Sequence, residues 1–160
     1  MSYFYIFCQS KISVSSGDLI GFIQDGIFFE EKPQFVTESN PDTSAFLDWK
    51  AISVAYDPDH KPIIFANHED DELFKKITSE LLFILSHPGM QISTTQQKIL
   101  KMIKETIQIF TIQLEREDVT EDAWEMLDCI ESYIAEKCDG LIYAPDDFFY
   151  DARLKKIYHL

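Results

Sequence analysis

Glycine, proline and cysteine are all scarce in this sequence: its 160 residues include five Gly, six Pro and three Cys. So few Gly and Pro residues leave little material for linkers, and we expect the connections between elements to be short. Cys8, Cys129 and Cys138 are odd in number and form no CxxC or CxxH spacing, so neither a disulfide framework nor a zinc site is predicted. A reducing compartment is the simplest inference.

Long apolar runs are missing as well. No stretch approaches the ~18 apolar residues that a membrane-spanning helix needs. Residues 1–11 lack the basic segment and the following apolar run of a signal peptide. We therefore expect a cytoplasmic protein without a membrane anchor.

Basic residues are few. Fourteen Lys and Arg stand against 28 Asp and Glu, which gives a net charge of −14. Because nucleic-acid binding depends on Lys and Arg that neutralise phosphates, nucleic acid is not a predicted ligand, and anionic membranes are disfavoured for the same reason. A basic protein would be drawn to such a chain. The alternative is that the charge only maintains solubility.

The motifs of common enzymes and metal sites are also absent. The sequence has no G-x-S-x-G elbow, no glycine-rich phosphate loop and no two His at helical metal spacing. The segment Asp57-Pro58-Asp59 begins like a calcium loop but lacks the required Gly and Glu. Cys8 lies in an apolar segment without a basic neighbour, which is typical of a small buried hydrophobe. No catalytic residue, metal or cofactor is predicted, and the sequence favours a protein without catalysis.

Apolar side chains are abundant, at 46% of all residues. This fraction suffices for one folded domain over residues 1–160. Hydrophobic periodicity predicts the element order β-α-(β)-β-β, then two helices, then β-α-β-β. The order indicates an α+β fold in the style of a ferredoxin-like sandwich, with helices packed on one face of an antiparallel sheet.

Two local predictions are specific. Phe110, Ile112 and Leu114 alternate with polar residues, which predicts a strand with one buried and one solvent-facing side. Ser93 and Gln96 match a capping box at the start of a helix whose apolar stripe would extend to residue 107.

The two ends of the chain resemble each other. Four letters of the first hairpin recur at the same spacing in the last one, with Tyr56-Asp57, Lys61 and Ile63 matching Tyr150-Asp151, Lys155 and Ile157. Two hypotheses remain open. Residues 1–68 and 107–160 are an ancient duplication joined by a helical middle at 69–106, or the similarity arose by chance.

A first candidate site lies at the C-terminal hairpin. Tyr143, Asp146, Asp147 and Tyr150 form an acidic and aromatic cluster there. Such a cluster is a predicted binding site for a sugar or a cationic group. The alternative is a turn, for which Asp is well suited, flanked by aromatic residues of the core.

A second candidate site lies on the last long helix, which Thr120 is predicted to cap. Glu121, Glu125 and Asp128 belong to a dense acidic run on its polar side. Like charges at helical spacing repel each other, so their retention favours a binding face for a basic protein. The alternative is a solvated face with acids at the helix start.

Three functional hypotheses follow. The favoured one is a non-enzymatic acidic protein-binding or regulatory protein, in its sharpest form an inhibitor or immunity-type protein that masks a basic partner. The alternative is a small enzyme or ligand-binding domain with an acidic-aromatic pocket near the C-terminal hairpin. The third is a homo-oligomer, with the Phe-rich segment 27–35 as its interface if that segment is exposed.

Overall fold

The computed structural model of the protein describes residues 1–11, 14–86, 89 and 91–160. Within them lie eight strands in a single sheet, four α-helices and one 3-10 turn at Arg116–Asp118. The strands are β1 (Ser2–Cys8), β2 (Gln34–Ser39), β3 (Trp49–Ala55), β4 (Ile63–His68), β5 (Gln108–Leu114), β6 (Leu141–Tyr143), β7 (Phe148–Tyr150) and β8 (Lys156–His159). The helices are α1 (Ser16–Asp25), α2 (Glu72–Leu85), α3 (Thr94–Lys104) and α4 (Glu121–Cys138).

The sheet is antiparallel throughout, with the strand order β2-β3-β4-β5-β1-β6-β7-β8. Its centre is the pair β1–β5, in register from Ser2 opposite Leu114 to Cys8 opposite Gln108. The predicted α+β class with helices on an antiparallel sheet is therefore confirmed.

Helices cover both faces of the sheet. Along β1, Ile6 and Cys8 pack in one hydrophobic cluster with α1 and α4, while the intervening Phe7 packs in another with α2 and α3. Because successive side chains of a strand point to opposite faces, the two clusters lie on opposite sides of the sheet. We call the α1/α4 side the first face and the α2/α3 side the second face. The expectation that all helices share one face is wrong, and the ferredoxin-like arrangement is not confirmed.

The second helical layer also corrects the prediction for β5. This strand was expected to have one solvent-facing side, yet Gln113 is its only residue that is not buried. Thr111, which alternates with the first-face residues, is 3% exposed on the second face. Its hydroxyl lies 3.3 Å from Nε2 of His68 on the neighbouring β4, so the polar side chain is satisfied inside the sheet.

A hydrogen bond from the Gln96 side chain joins helices α2 and α3, although the sequence predicts that this side chain completes a capping box. Ser93 caps α3 as predicted, because its Oγ accepts a hydrogen bond from the Gln96 backbone N–H at 3.1 Å. The Gln96 side chain does not complete a capping box. It donates instead to the Leu85 carbonyl of α2 at 2.6 Å. Helix α3 also ends at Lys104, so Ile107 lies beyond it and its N–H donates to the Cys8 carbonyl at 2.9 Å.

Helix α4 begins at its predicted cap. Thr120 is the N-cap, with its Oγ1 accepting from the Ala123 N–H at 3.3 Å. The helix ends at Asp139, which adopts a left-handed conformation with φ of 56°. Its apolar stripe is fully buried on the first face, at Ala123, Leu127, Ile130 and Ile134.

The two similar hairpins occupy different places in the sheet. In the β3–β4 hairpin the second strand lies toward the centre, whereas in the β7–β8 hairpin the second strand is the outer edge. The duplication stays a prediction. In the 27–35 segment Ile27 is 83% exposed, while Phe28, Phe29 and Phe35 pack against the first-face core.

None of the helices in the described ranges combines the length and the apolar character needed to cross a lipid bilayer.

Two glycines provide a test of the packing between α4 and the sheet. A Cβ at Gly140 would lie 2.9 Å from a methyl of Ile6 and 3.1 Å from the Cα of Ala135. Gly140→Ala should therefore destabilise the protein by about 1–3 kcal/mol in urea denaturation. A Cβ at Gly21, inside α1, would meet nothing within 4 Å. Gly21→Ala should stabilise by about 0.5–1 kcal/mol. Equal effects of the two substitutions would contradict the packing described.

Candidate functional site

A cleft of about 300 Å³ opens on the first face, between α4 and the turn that joins β6 to β7. Its walls carry three aromatic rings, three carboxyl groups and one guanidinium. The lining residues are Phe4, Arg116, Trp124, Asp128, Glu131, Ala144, Pro145, Asp146, Tyr150 and Leu154.

Helical spacing places one wall of the cleft. Trp124, Asp128 and Glu131 follow one another at intervals of four and three residues, so they lie in a row along one side of α4. Phe4 of β1 meets this row, with its ring centre 6.4 Å from that of Trp124 in an edge-to-face arrangement. The cleft thus has an aromatic end and an acidic end on the same helix.

Glu131 is the most unusual residue of the cleft. Its side chain is on the buried side of α4 and the residue is only 4% exposed. No group in the described part of the chain donates a hydrogen bond to its carboxyl or forms an ion pair with it. Burial, with a smaller effect from the negative charge of Asp128, raises the pKa of Glu131 to about 8. At neutral pH this carboxyl is therefore mostly protonated and uncharged.

The opposite wall is fixed by hydrogen bonds within the β6–β7 turn. One oxygen of Asp146 accepts a hydrogen bond from the Tyr150 hydroxyl at 2.8 Å, and the other accepts from the Phe148 N–H at 3.1 Å. Burial, followed by the bond to Asp146, raises the pKa of Tyr150 to about 12. The Tyr150 hydroxyl is therefore a neutral donor, held in place beside the cleft.

The four predicted ligand residues of the hairpin separate into two pairs. Asp146 and Tyr150 lie on the first face and line the cleft. Tyr143 packs with the second-face cluster, and its hydroxyl donates to Asp147 at 2.6 Å. The hairpin thus presents one Tyr–Asp pair on each side of the sheet, and only one of these pairs belongs to the cleft.

The three predicted partner-binding residues all lie on the exposed side of α4. Glu121, Glu125 and Asp128 form an acidic ridge along the helix, and we use that name for them below. Asp128 is also part of the cleft wall, whereas Glu121 and Glu125 are not. The two sites that the sequence suggested separately are therefore contiguous, because Asp128 belongs to both.

Glu131 was not recognised from the sequence, where it counted only as one more acid on α4. Its position carried a signal nonetheless. Residue 131 follows Leu127 by four positions and precedes Ala135 by four, and both neighbours are fully buried. The helical period thus places a carboxyl on the apolar stripe. The contributions of Phe4, Arg116 and Leu154 could not be recognised, since they come from distant segments.

Arg116 adds a positive charge to a cleft of carboxyl groups. It lies in the 3-10 turn before α4, and its side chain is exposed. Its guanidinium forms no ion pair or hydrogen bond with the residues that the structure describes. Its charge lowers the pKa of Tyr150 slightly, against the larger raising effects.

Another group of polar residues has the connectivity of a hydrolase triad but not its accessibility. His68 Nδ1 lies 2.7 Å from Asp71 Oδ2, and His68 Nε2 lies 3.3 Å from the Thr111 hydroxyl. Thr111 is buried, and Asp71 is the N-cap of α2, where it accepts from the Phe74 N–H at 2.9 Å. These bonds tie α2 to the sheet, and a substrate has no access to the hydroxyl.

Metal binding finds no support in residues 1–11, 14–86, 89 and 91–160, where no group of three or more His, Cys, Asp or Glu side chains is arranged to hold an ion.

Comparisons with protein-family models, with curated proteins and with solved structures give no match to this chain. The functional argument is therefore built on the cleft and the acidic ridge themselves.

The raised pKa of Glu131 makes the stability of the protein depend on pH. The folded state holds this proton more tightly than the unfolded chain does. The resulting contribution of Glu131 to the free energy of unfolding is therefore complete below the ordinary Glu pKa and is lost as pH rises toward 8. Relative to Glu131→Gln, the wild type should lose up to about 1.4 kcal/mol per pH unit within that window. Urea denaturation across the window measures the difference.

Ser132→Ala is the matched control for this titration. It removes a non-titrating hydroxyl from the adjacent position of α4, where Ser132 donates to the Ala152 carbonyl at 2.6 Å. Its effect on the free energy of unfolding should be the same at every pH in the window. A pH-independent effect of Glu131→Gln would contradict the buried neutral carboxyl.

Proposed function

We propose that this chain is a non-enzymatic binding protein that masks a basic protein partner, in the manner of an inhibitor or an immunity-type protein. The partner docks on the acidic ridge of Glu121, Glu125 and Asp128, and one of its cationic side chains enters the adjoining cleft. The observation that carries the proposal is Glu131, which lines the cleft although the residue is only 4% exposed, and whose carboxyl has no hydrogen-bond partner among the described residues. A ligand that enters the cleft can supply the donor that this carboxyl lacks.

Electrostatics support a basic partner. A net charge of −14 attracts cationic proteins over a distance and raises their association rate. The ridge adds a local concentration of carboxylates on one rigid helix, next to aromatic rings that also attract cations. A surface of regularly spaced carboxylates can occupy a site on the partner that otherwise holds phosphates. In this proposal the protein is cytoplasmic, and its partner is neither a nucleic acid nor a membrane.

The second candidate function is a small enzyme or a small-molecule-binding domain that uses the same cleft. The observation in its favour is that Glu131 is an uncharged acid near neutral pH, as a general acid must be. It ranks second because the two reactive groups of the opposite wall are engaged with each other, the Tyr150 hydroxyl donating to Asp146 at 2.8 Å. In such an enzyme Glu131 would be the proton donor, and a carboxylate of the lining, Asp128 or Asp146, would have to be the nucleophile or base.

Charge reversal on the ridge tests the proposed function. The double substitution Glu125→Lys with Asp128→Lys should weaken binding of an arginine-rich peptide by at least about tenfold in isothermal titration calorimetry, which corresponds to about 1.4 kcal/mol. Added salt should weaken wild-type binding as well, because the ridge is exposed. A glutamate-rich peptide of equal length should not bind.

The matched control changes the net charge equally at another place. Glu38→Lys with Glu80→Lys alters exposed residues of β2 and α2, neither of which lines the cleft. This variant should keep most of the wild-type affinity. If both double variants lose the same affinity, the attraction comes from net charge alone and the ridge is not a binding site.

A further inference from the structure

The cleft has features that distinguish between the two cationic side chains a protein partner can offer. We propose that it is a pocket for a single arginine side chain, whose guanidinium pairs with the carboxyl of Glu131 between the aromatic walls of the cleft. This inference rests on the proposed function, since it specifies what the partner places in the cleft.

Aromatic walls favour a guanidinium over an ammonium. Trp124 and Tyr150 border the cleft from its two sides, and Phe4 closes one end of it. A guanidinium is flat and weakly hydrated, so it stacks on such rings and loses little on leaving water. A lysine ammonium is compact and strongly hydrated. It would have to shed its water to approach Glu131, which is only 4% exposed.

The size of the cleft fits one side chain. Its volume of about 300 Å³ is at the lower limit for ligand pockets. Both carboxyl oxygens of Glu131 are without a partner among the described residues, and Asp128 adds a second carboxyl one turn before it on the same helix. Paired N–H donors of a guanidinium can bind a carboxylate through two bonds, whereas an ammonium acts as a point charge.

The charges around Glu131 come from three elements. Asp128 shares its helix, Asp146 lines the cleft from the β6–β7 turn beside the neutral Tyr150 hydroxyl of β7, and Arg116 lines it from the 3-10 turn. Burial, with a smaller effect from the negative charge of Asp128, keeps the proton on Glu131 when no cation occupies the cleft. The positive charge of an incoming guanidinium favours the ionised form of Glu131. The positive charge of Arg116 repels that guanidinium, so Arg116→Gln should strengthen arginine binding.

Proton release is the signature of this arrangement. Near neutral pH the free carboxyl is mostly protonated, because its pKa is about 8. Pairing with a guanidinium favours the carboxylate, and the proton passes to the buffer while the guanidinium keeps its own. Up to one proton is released per arginine bound. Affinity should rise with pH by up to about tenfold per pH unit until the free carboxyl is itself ionised.

The experiment uses the full chain and two matched probes, N-acetyl-arginine methylamide and N-acetyl-lysine methylamide. The indole N–H signal of Trp124 reports the cleft by NMR. That of Trp49, which is buried and donates to the Val14 carbonyl at 2.8 Å, is the internal control for folding. The arginine probe should shift the Trp124 signal alone and bind at least about tenfold more tightly than the lysine probe. Calorimetry in buffers of different ionisation enthalpy counts the protons.

Two variants distinguish binding inside the cleft from a general attraction of cations to this acidic protein. Glu131→Gln should abolish both the proton release and the pH dependence, while leaving the Trp49 signal unchanged. Asp128→Asn should weaken binding yet keep the proton release. Because the wild type alone already gives the pH dependence and the proton count, the result stands even if a variant fails to fold.

The outcomes distinguish this inference from the proposed function. Equal affinity for the two probes, or arginine binding without proton release, would overturn the arginine pocket. If the arginine-rich peptide still bound the wild type through the ridge, the proposed function would stand. If that peptide also failed to bind, the proposed function would fail together with the pocket.

Discussion

The packing of α4 across the central strands is the constraint on which the rest of the molecule depends. The helix lies against β1 and β6, and its apolar stripe from Ala123 to Ile134 leaves no exposed surface on that side. This contact fixes the rotation of α4 about its axis. It therefore determines that Glu121, Glu125 and Asp128 face solvent, while Glu131 is drawn to the boundary of the core. The acidic ridge and the cleft are both consequences of one helix register.

A carboxyl in that position is unfavourable unless it is neutral or paired. Here it is held neutral by burial, at the expense of stability above the ordinary Glu pKa. Groups with strongly shifted pKa values are concentrated at the binding and catalytic sites of proteins. The cleft that Glu131 lines also carries the aromatic rings of Phe4, Trp124 and Tyr150 and the carboxyl groups of Asp128 and Asp146. In the proposed function, binding of a cation is therefore linked to the ionisation of this single carboxyl.

Local signals predicted the elements well, and contacts between distant segments accounted for the errors. The cap of α3 at Ser93, the cap of α4 at Thr120 and the turn at Asp146 all depend on neighbouring residues, and all have physical causes that a sequence displays. The strand order has no local cause, so neither the second helical layer nor the burial of Thr111 could be anticipated. Asp128 and Tyr150 were predicted for separate sites, and only tertiary packing brought them into one cleft.

Glu131 is a buried carboxyl that is neutral in the free protein, and we propose that it binds a cationic group of the partner. The most direct measurement is an NMR titration of its side-chain carboxyl carbon in the free protein, assigned by comparison with Glu131→Gln. The account predicts a midpoint of about 8, with the neighbouring Asp128 signal responding to the same event. A midpoint at the ordinary Glu value would mean that the carboxyl is already ionised and solvated. The cleft would then lose the property that distinguishes it from the rest of an acidic surface.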